Sequence, residues 1–220
     1  MKILVRGREL EIAEFKFKFE AIKDVKFDTD NSMRIQPEDF DLIFDFFTED
    51  SPENLEAYKD FKDTIVFCNS VKTSLTEFSL YLDHNFDFKM IGFNGLPTFL
   101  KRTILEMTVL NEEDREIADK VCKYLGTEYI IVDCRVGLVT PRVICMIINE
   151  AYYTVQEGTS DKGSIDLAMK LGTNYPFGPF EWATKIGINH VYELLEALYE
   201  DTKDERYKIC PLLKKEYLME

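Results

Sequence analysis

Over its first 133 residues the chain alternates short apolar runs with stretches of helical period. KILVR at 2–6, DLIFDFF at 41–47, TIVFC at 64–68, KMIGF at 89–93 and EYIIVD at 128–133 read as strands, with VKF at 25–27 as a short further one. Between them, Glu9 to Phe19, Pro52 to Phe61, Thr73 to Leu82 and Glu112 to Leu125 are helix-compatible in period or propensity. Such alternation predicts a parallel sheet covered by helices, an α/β domain over residues 1–133.

From Gly137 onward the pattern is helical only, which predicts a second, all-helical domain over 134–220. Thr140 followed by Pro141 sets an N-cap hydroxyl before a proline in the first turn, and Val143, Ile147, Ala151 and Val155 then share one stripe ending at Gly158. Asp161 is placed to cap the next helix, with Ile165, Ala168 and Met169 on its inner face and Gly172 as its stop. Further helices are expected from about Gly178, Ile188 and Pro211.

Composition narrows the function. The 220 residues are 45% apolar, enough for one sizeable core or two small ones, and the formal net charge of −14 argues against a nucleic-acid partner. No apolar run reaches the length of a membrane span, and MKILVRGREL carries charge where a secretory leader is apolar, so a cytoplasmic protein without a membrane partner is expected. The five cysteines stand at no ligand spacing and mostly inside apolar runs, so they are read as reduced core residues and no metal site is predicted.

Two segments carry a family likeness. GLVTPRVICMIINEAYYTVQEG at 137–158 and SIDLAMKLGTNYPFGPFEW at 164–182 resemble the C-terminal domain of the 3-hydroxyacyl-CoA dehydrogenases in both residues and spacing. The likeness extends more faintly back through CNSVKTSLTEF at 68–78 and MIGFNGLPTFLKRTILEMTV at 90–109, covering roughly Asp41 to Leu213. It implies a reduced Rossmann-like domain followed by a helical dimerisation domain. It also implies that the helices joined by TNYPFGPFEW pack on a second subunit and close an acyl-CoA cleft; the alternative is a purely internal helix corner. In either case Pro176 and Pro179 stiffen that connection and Gly178 permits close backbone approach.

The site implied by the resemblance is depleted. Hydride transfer from a 3-hydroxyl group needs a proton acceptor, a group that orients it and donors for the forming carbonyl. The family uses histidine, glutamate, serine and asparagine. Here Asn94 stands at the histidine position, with Glu106 retained twelve residues on; Val71 replaces the serine, and Pro141 the asparagine before Arg142. An amide has no titration near neutral pH with which to take a proton. Asn69 and Ser70 match the family beside Val71, and they and Arg142 are candidate substrate contacts. In the nucleotide loop Gly7 is kept, while Glu9 and Ile12 occupy the other two glycine positions, the first bringing a carboxylate toward the phosphates.

These losses predict a divergent homodimer that binds acyl-CoA or serves as a scaffold, with no cofactor and without the NAD-dependent reaction. The alternative is an oxidoreductase with a rearranged site that keeps NAD, in which Glu106 or a water it holds accepts the proton. A purely structural dimer is the third reading.

Overall fold

The computed structural model describes every residue except Ile35, Pro37, Glu38 and Glu220. The chain divides into two compact units, Met1–Leu138 and Val139–Glu220.

The first unit runs β1 (Ile3–Arg6), α1 (Glu9–Lys18), β2 (Val25–Asp28), β3 (Leu42–Asp45), α2 (Glu53–Tyr58), β4 (Ile65–Asn69), α3 (Leu75–Tyr81), β5 (Lys89–Phe93), β6 (Ile104–Val109), α4 (Asp114–Leu125) and β7 (Glu128–Ile131). The strands form one sheet in the order β2-β1-β3-β4-β5-β6-β7. All neighbouring pairs are parallel except β5 with β6. Strands β1 and β3 are buried along their whole length, as expected of a sheet covered on both faces. One face packs Ile3, Val5, Phe44 and Phe67 with Ile12 and Phe15 of α1 and Val121 of α4. The other packs Leu4, Ile43 and Val66 with Leu55 and Tyr58 of α2 and Phe78 of α3.

Strand β6 has no counterpart in the pattern-based expectation. ILEMTV mixes a polar residue into an apolar run, and nothing local announces that the chain turns back after β5 to pair antiparallel.

The second unit contains α5 (Thr140–Gln156), α6 (Lys162–Thr173), α7 (Pro179–Ile186), α8 (Ile188–Thr202), a 3-10 turn at Glu205–Tyr207 and α9 (Pro211–Tyr217). Three local expectations are corrected. The N-cap of α5 is Val139, with no side-chain cap, and Thr140 is already helical. The buried face of α5 is Ile144, Cys145, Ile148, Asn149, Ala151 and Tyr152; Val143 and Ile147 flank it, because neighbouring helices meet α5 one position further round. Helix α6 passes through Gly172 and ends at Asn174 in the left-handed conformation, φ 55°, since a glycine costs a helix less than the missing turn would. Asp161 does cap α6, accepting from Ser164 N at 2.9 Å.

The connection from α6 to α7 explains its own composition. A Cβ on Gly178 would lie 2.3 Å from Asp166 Oδ1 and 2.4 Å from Asp166 Cα, so only glycine lets the two backbones approach. Asp166 in turn accepts from Phe180 N at 2.8 Å and Glu181 N at 3.1 Å, satisfying first-turn donors of α7. Tyr175 and Phe177 pack on Trp182 with ring centroids 5.4 and 6.2 Å apart.

All five cysteines are free thiols, four of them buried and Cys134 partly exposed. Burial pushes Cys122 and Cys145 up to about 12 and Cys68 well above the usual thiol range. Among the described residues no helix is long and apolar enough to cross a membrane.

Candidate functional site

In the first unit the strand order reverses direction between β1 and β3. The crevice at the carboxyl ends of these strands is where an open α/β sheet receives a ligand. Gly7 follows β1 there and leads into α1. The N-cap donor Arg8 N is taken by the chain's own Glu11, whose Oε2 lies at 2.6 Å. The carboxylate at this helix start is therefore Glu11; Glu9, expected in that role, points to solvent. Burial pushes the Glu11 carboxyl above its ordinary range, opposed by the Arg8 donor. Ile12, at the third glycine position, is 4% exposed and belongs to the core shared by α1 and the sheet.

The polar groups beyond β4 and β5 form a connected set. Asn94 donates from Nδ2 to Glu106 Oε2 at 3.3 Å, and its backbone N–H donates to Glu106 O at 3.0 Å. The twelve-residue spacing thus becomes direct contact across the antiparallel β5–β6 pair. Asn69 accepts from Gly95 N at 3.0 Å and donates to Glu49 Oε2 at 3.1 Å. Ser70 is 1% exposed, its hydroxyl turned toward Gly92, and Val71 is wholly buried with its carbonyl accepting from Gly137 N.

Glu49 was not singled out in the sequence. It sits in the turn after β3, accepting from Asn69, from Lys72 N and from Thr73 N at 3.1 Å, and burial raises its carboxyl to about 7 against the nearby Lys72 charge. The signal available was an acidic residue shortly after an apolar strand that ends in a Rossmann-like crevice.

A second unforeseen cluster is the Arg6 network. Arg6, 4% exposed, meets Asp28 at 3.0 Å through Nε and donates from Nη1 to Tyr58 Oη at 2.6 Å. Tyr58 donates to Asp45 Oδ2 at 2.6 Å, and Asn54 Nδ2 donates to the same oxygen at 3.1 Å. Burial pushes the Asp45 carboxyl upward against these donors. Asp28 ends β2, where the fold presents an acid to a nucleotide ribose, but its oxygens already accept from Arg6, Ser32 N and Met33 N. An arginine and an aspartate closing the otherwise apolar strands β1 and β3 were the legible signal.

In the helical unit Pro141 is buried in the first turn of α5. Arg142 donates from Nη1 to Tyr207 Oη at 2.8 Å and, with Val143, Met146, Ile147 and Glu150, lines a cavity of about 390 Å³. His84 lies in the turn after α3, with Nδ1 2.8 Å from Ser79 Oγ.

A Rossmann-like sheet with its crevice at the β1–β3 reversal, followed by a unit of helices, defines the class: an α/β nucleotide-binding-type fold joined to an all-helical unit. (S)-3-hydroxybutyryl-CoA dehydrogenase from Ralstonia eutropha superposes with a TM-score of 0.73 at 20% identity, covering 98% of this chain and 93% of that one. Residues 137–219 match the model of the 3-hydroxyacyl-CoA dehydrogenase C-terminal domain. A 3-hydroxyadipyl-CoA dehydrogenase of Escherichia coli is 42% identical over 84 residues, 38% of this chain and 18% of the relative. A probable 3-hydroxybutyryl-CoA dehydrogenase of Bacillus subtilis is 28% identical over 188 residues, 82% of this chain and 65% of the relative. Residues 137–219 thus belong to the C-terminal domain family of the 3-hydroxyacyl-CoA dehydrogenases, and the rest of the chain is similar to these enzymes in fold. The chain spans less than two thirds of the length of these curated relatives.

This likeness corrects one expectation: a chain without a cofactor conflicts with its similarity to NAD-dependent dehydrogenases, and the losses at Glu9 and Ile12 do not outweigh it. As folded, however, the crevice does not fit a dinucleotide without rearrangement. The Arg8 donor is held by Glu11, Asp28 is fully engaged, and the Phe46 ring lies beside Gly7.

Proposed function

We propose that this chain is a 3-hydroxyacyl-CoA dehydrogenase family protein of acyl-CoA metabolism that recognises acyl-CoA without the base-assisted turnover of the family, acting as a binder or scaffold. The observation that carries this reading is Asn94: the group in contact with Glu106 is an amide, which has no proton affinity near neutral pH. Val71 and Pro141 supply no side-chain hydrogen bond to a forming carbonyl either. Loss of a positioned base lowers a rate by about a hundred- to ten-thousandfold. A coupled NADH absorbance assay on acetoacetyl-CoA tests the reading. No turnover above background is expected; turnover that disappears in Glu106→Gln would overturn it.

The proposed partner is a second copy of the chain, met through the helical unit. Support comes from α6, which has no buried residue although it is amphipathic, with Leu167 56% and Leu171 78% exposed. A helix of this kind gains its stability from packing.

A second reading, an active oxidoreductase with a rearranged site, draws support from Glu49. A carboxyl raised to about 7 beside Asn69 has the proton affinity a general base needs at neutral pH. In this reading Glu49 would take the proton of the 3-hydroxyl, with NAD supplying the hydride acceptor when bound, and Glu49→Gln would abolish a turnover that Glu106→Gln leaves in place.

A further inference from the structure

The likeness to NAD-dependent dehydrogenases implies a dinucleotide, yet the crevice is filled by the chain's own side chains. Phe46 follows β3 directly and is 2% exposed. A Cβ built on Gly7 would meet Phe46 Cδ2 at 3.0 Å, and one built on Gly95 would meet Phe46 Cδ1 at 3.0 Å. The two edges of one ring therefore face the turn after β1 and the turn after β5, so the ring bridges the carboxyl end of the sheet. Phe93 holds it edge-on from below, with centroids 5.0 Å apart and planes at 86°. On the β1 side the same Gly7 position lies 3.0 Å from Glu11 Oε2, the carboxylate that occupies the Arg8 donor.

We infer that Phe46 is the residue that sets what this crevice admits: its ring, with the Glu11 carboxylate beside it, stands in the space a dinucleotide needs and must swing aside for one to enter. The glycines on either side leave room for a backbone-hugging ligand, and the aromatic ring fills that room when none is bound. A ligand that binds only the open form has its affinity reduced by the fraction of molecules that are open. Holding a large apolar side chain in a buried site against solvent corresponds to about ten- to a hundredfold in that fraction. This goes beyond the reading of catalysis above, since it concerns entry of the cofactor and not the proton acceptor.

Titration calorimetry with NADH tests it on the full chain. Phe46→Ala is expected to bind NADH about ten- to a hundredfold more tightly than the wild type, and Phe46→Tyr, which keeps the ring, to stay at the wild-type affinity. Equal affinity of wild type and Phe46→Ala, binding in neither, or an equal gain in Phe46→Tyr overturns the inference. Should circular dichroism show Phe46→Ala unfolded, Glu11→Gln decides. Tighter NADH binding in that variant supports displacement of the carboxylate, and unchanged binding overturns it. No acyl-CoA is present, so failure here is distinct from failure of the turnover assay.

Discussion

In the α/β unit the charged groups at the strand ends are paired with one another, as in the chain from Asp28 through Arg6 and Tyr58 to Asp45, whereas in the helical unit the whole of α6 is left without a buried residue. The first region meets its polar requirements internally. The second presents apolar side chains that its own chain does not cover. A region of the first kind holds its shape through pairing, and loses much when one partner is removed. A region of the second kind offers an apolar surface on which a partner could pack.

Four experiments break or sharpen that contrast. The largest effect is expected for Arg6→Met, which strands Asp28 and Asp45 in the interior; urea unfolding should show a loss of about 3–5 kcal/mol. Next, Gly178→Ala forces a methyl group against the Asp166 backbone, where α6 and α7 meet closely. A loss of about 1–3 kcal/mol is expected in thermal melts, and no loss would mean the α6–α7 corner is loose.

The third uses pH. The folded-state value of Glu49, about 7, lies above its ordinary 4.5, so folding favours the protonated form. Its contribution is full below about 4.5 and is lost as pH rises through about 7, so Glu49→Gln should flatten the fall in unfolding free energy across that window by about 2 kcal/mol. An unchanged profile would show the carboxyl to be solvated. The smallest effect on stability is expected for Leu171→Glu, within about 0.5 kcal/mol for the isolated chain. The same variant should shift sedimentation velocity from dimer to monomer, and an unaltered dimer would place the interface elsewhere.

The elements with strong period or β-branched runs were legible in the sequence: β1, β3, β4, β5, β7 and α4 stand close to where the pattern puts them, and even the three-residue run VKF forms β2. Strand β6 was not, because antiparallel return after β5 is a tertiary event with no local mark. Asn94 and Glu106 were singled out by the family resemblance, and their contact appears only once β5 and β6 pair. Which carboxylate occupies the start of α1 was not legible either, since a helix turns 100° per residue and moves Glu9 outward while bringing Glu11 back over Arg8. Glu49 and Arg6 stayed hidden because their character comes from burial, and burial is set by segments far along the chain.

The cysteines carry a practical consequence. Four of the five thiols are enclosed, and those at 68, 122 and 145 are held in the unreactive protonated state, which leaves Cys134 as the accessible sulfur of the native protein. A maleimide dye or nitroxide added to the folded chain should attach there alone, after β7 and 3.7 Å from the Thr76 hydroxyl. The molecule thus comes with a single built-in handle for fluorescence or electron-spin work, with no cysteine to remove first.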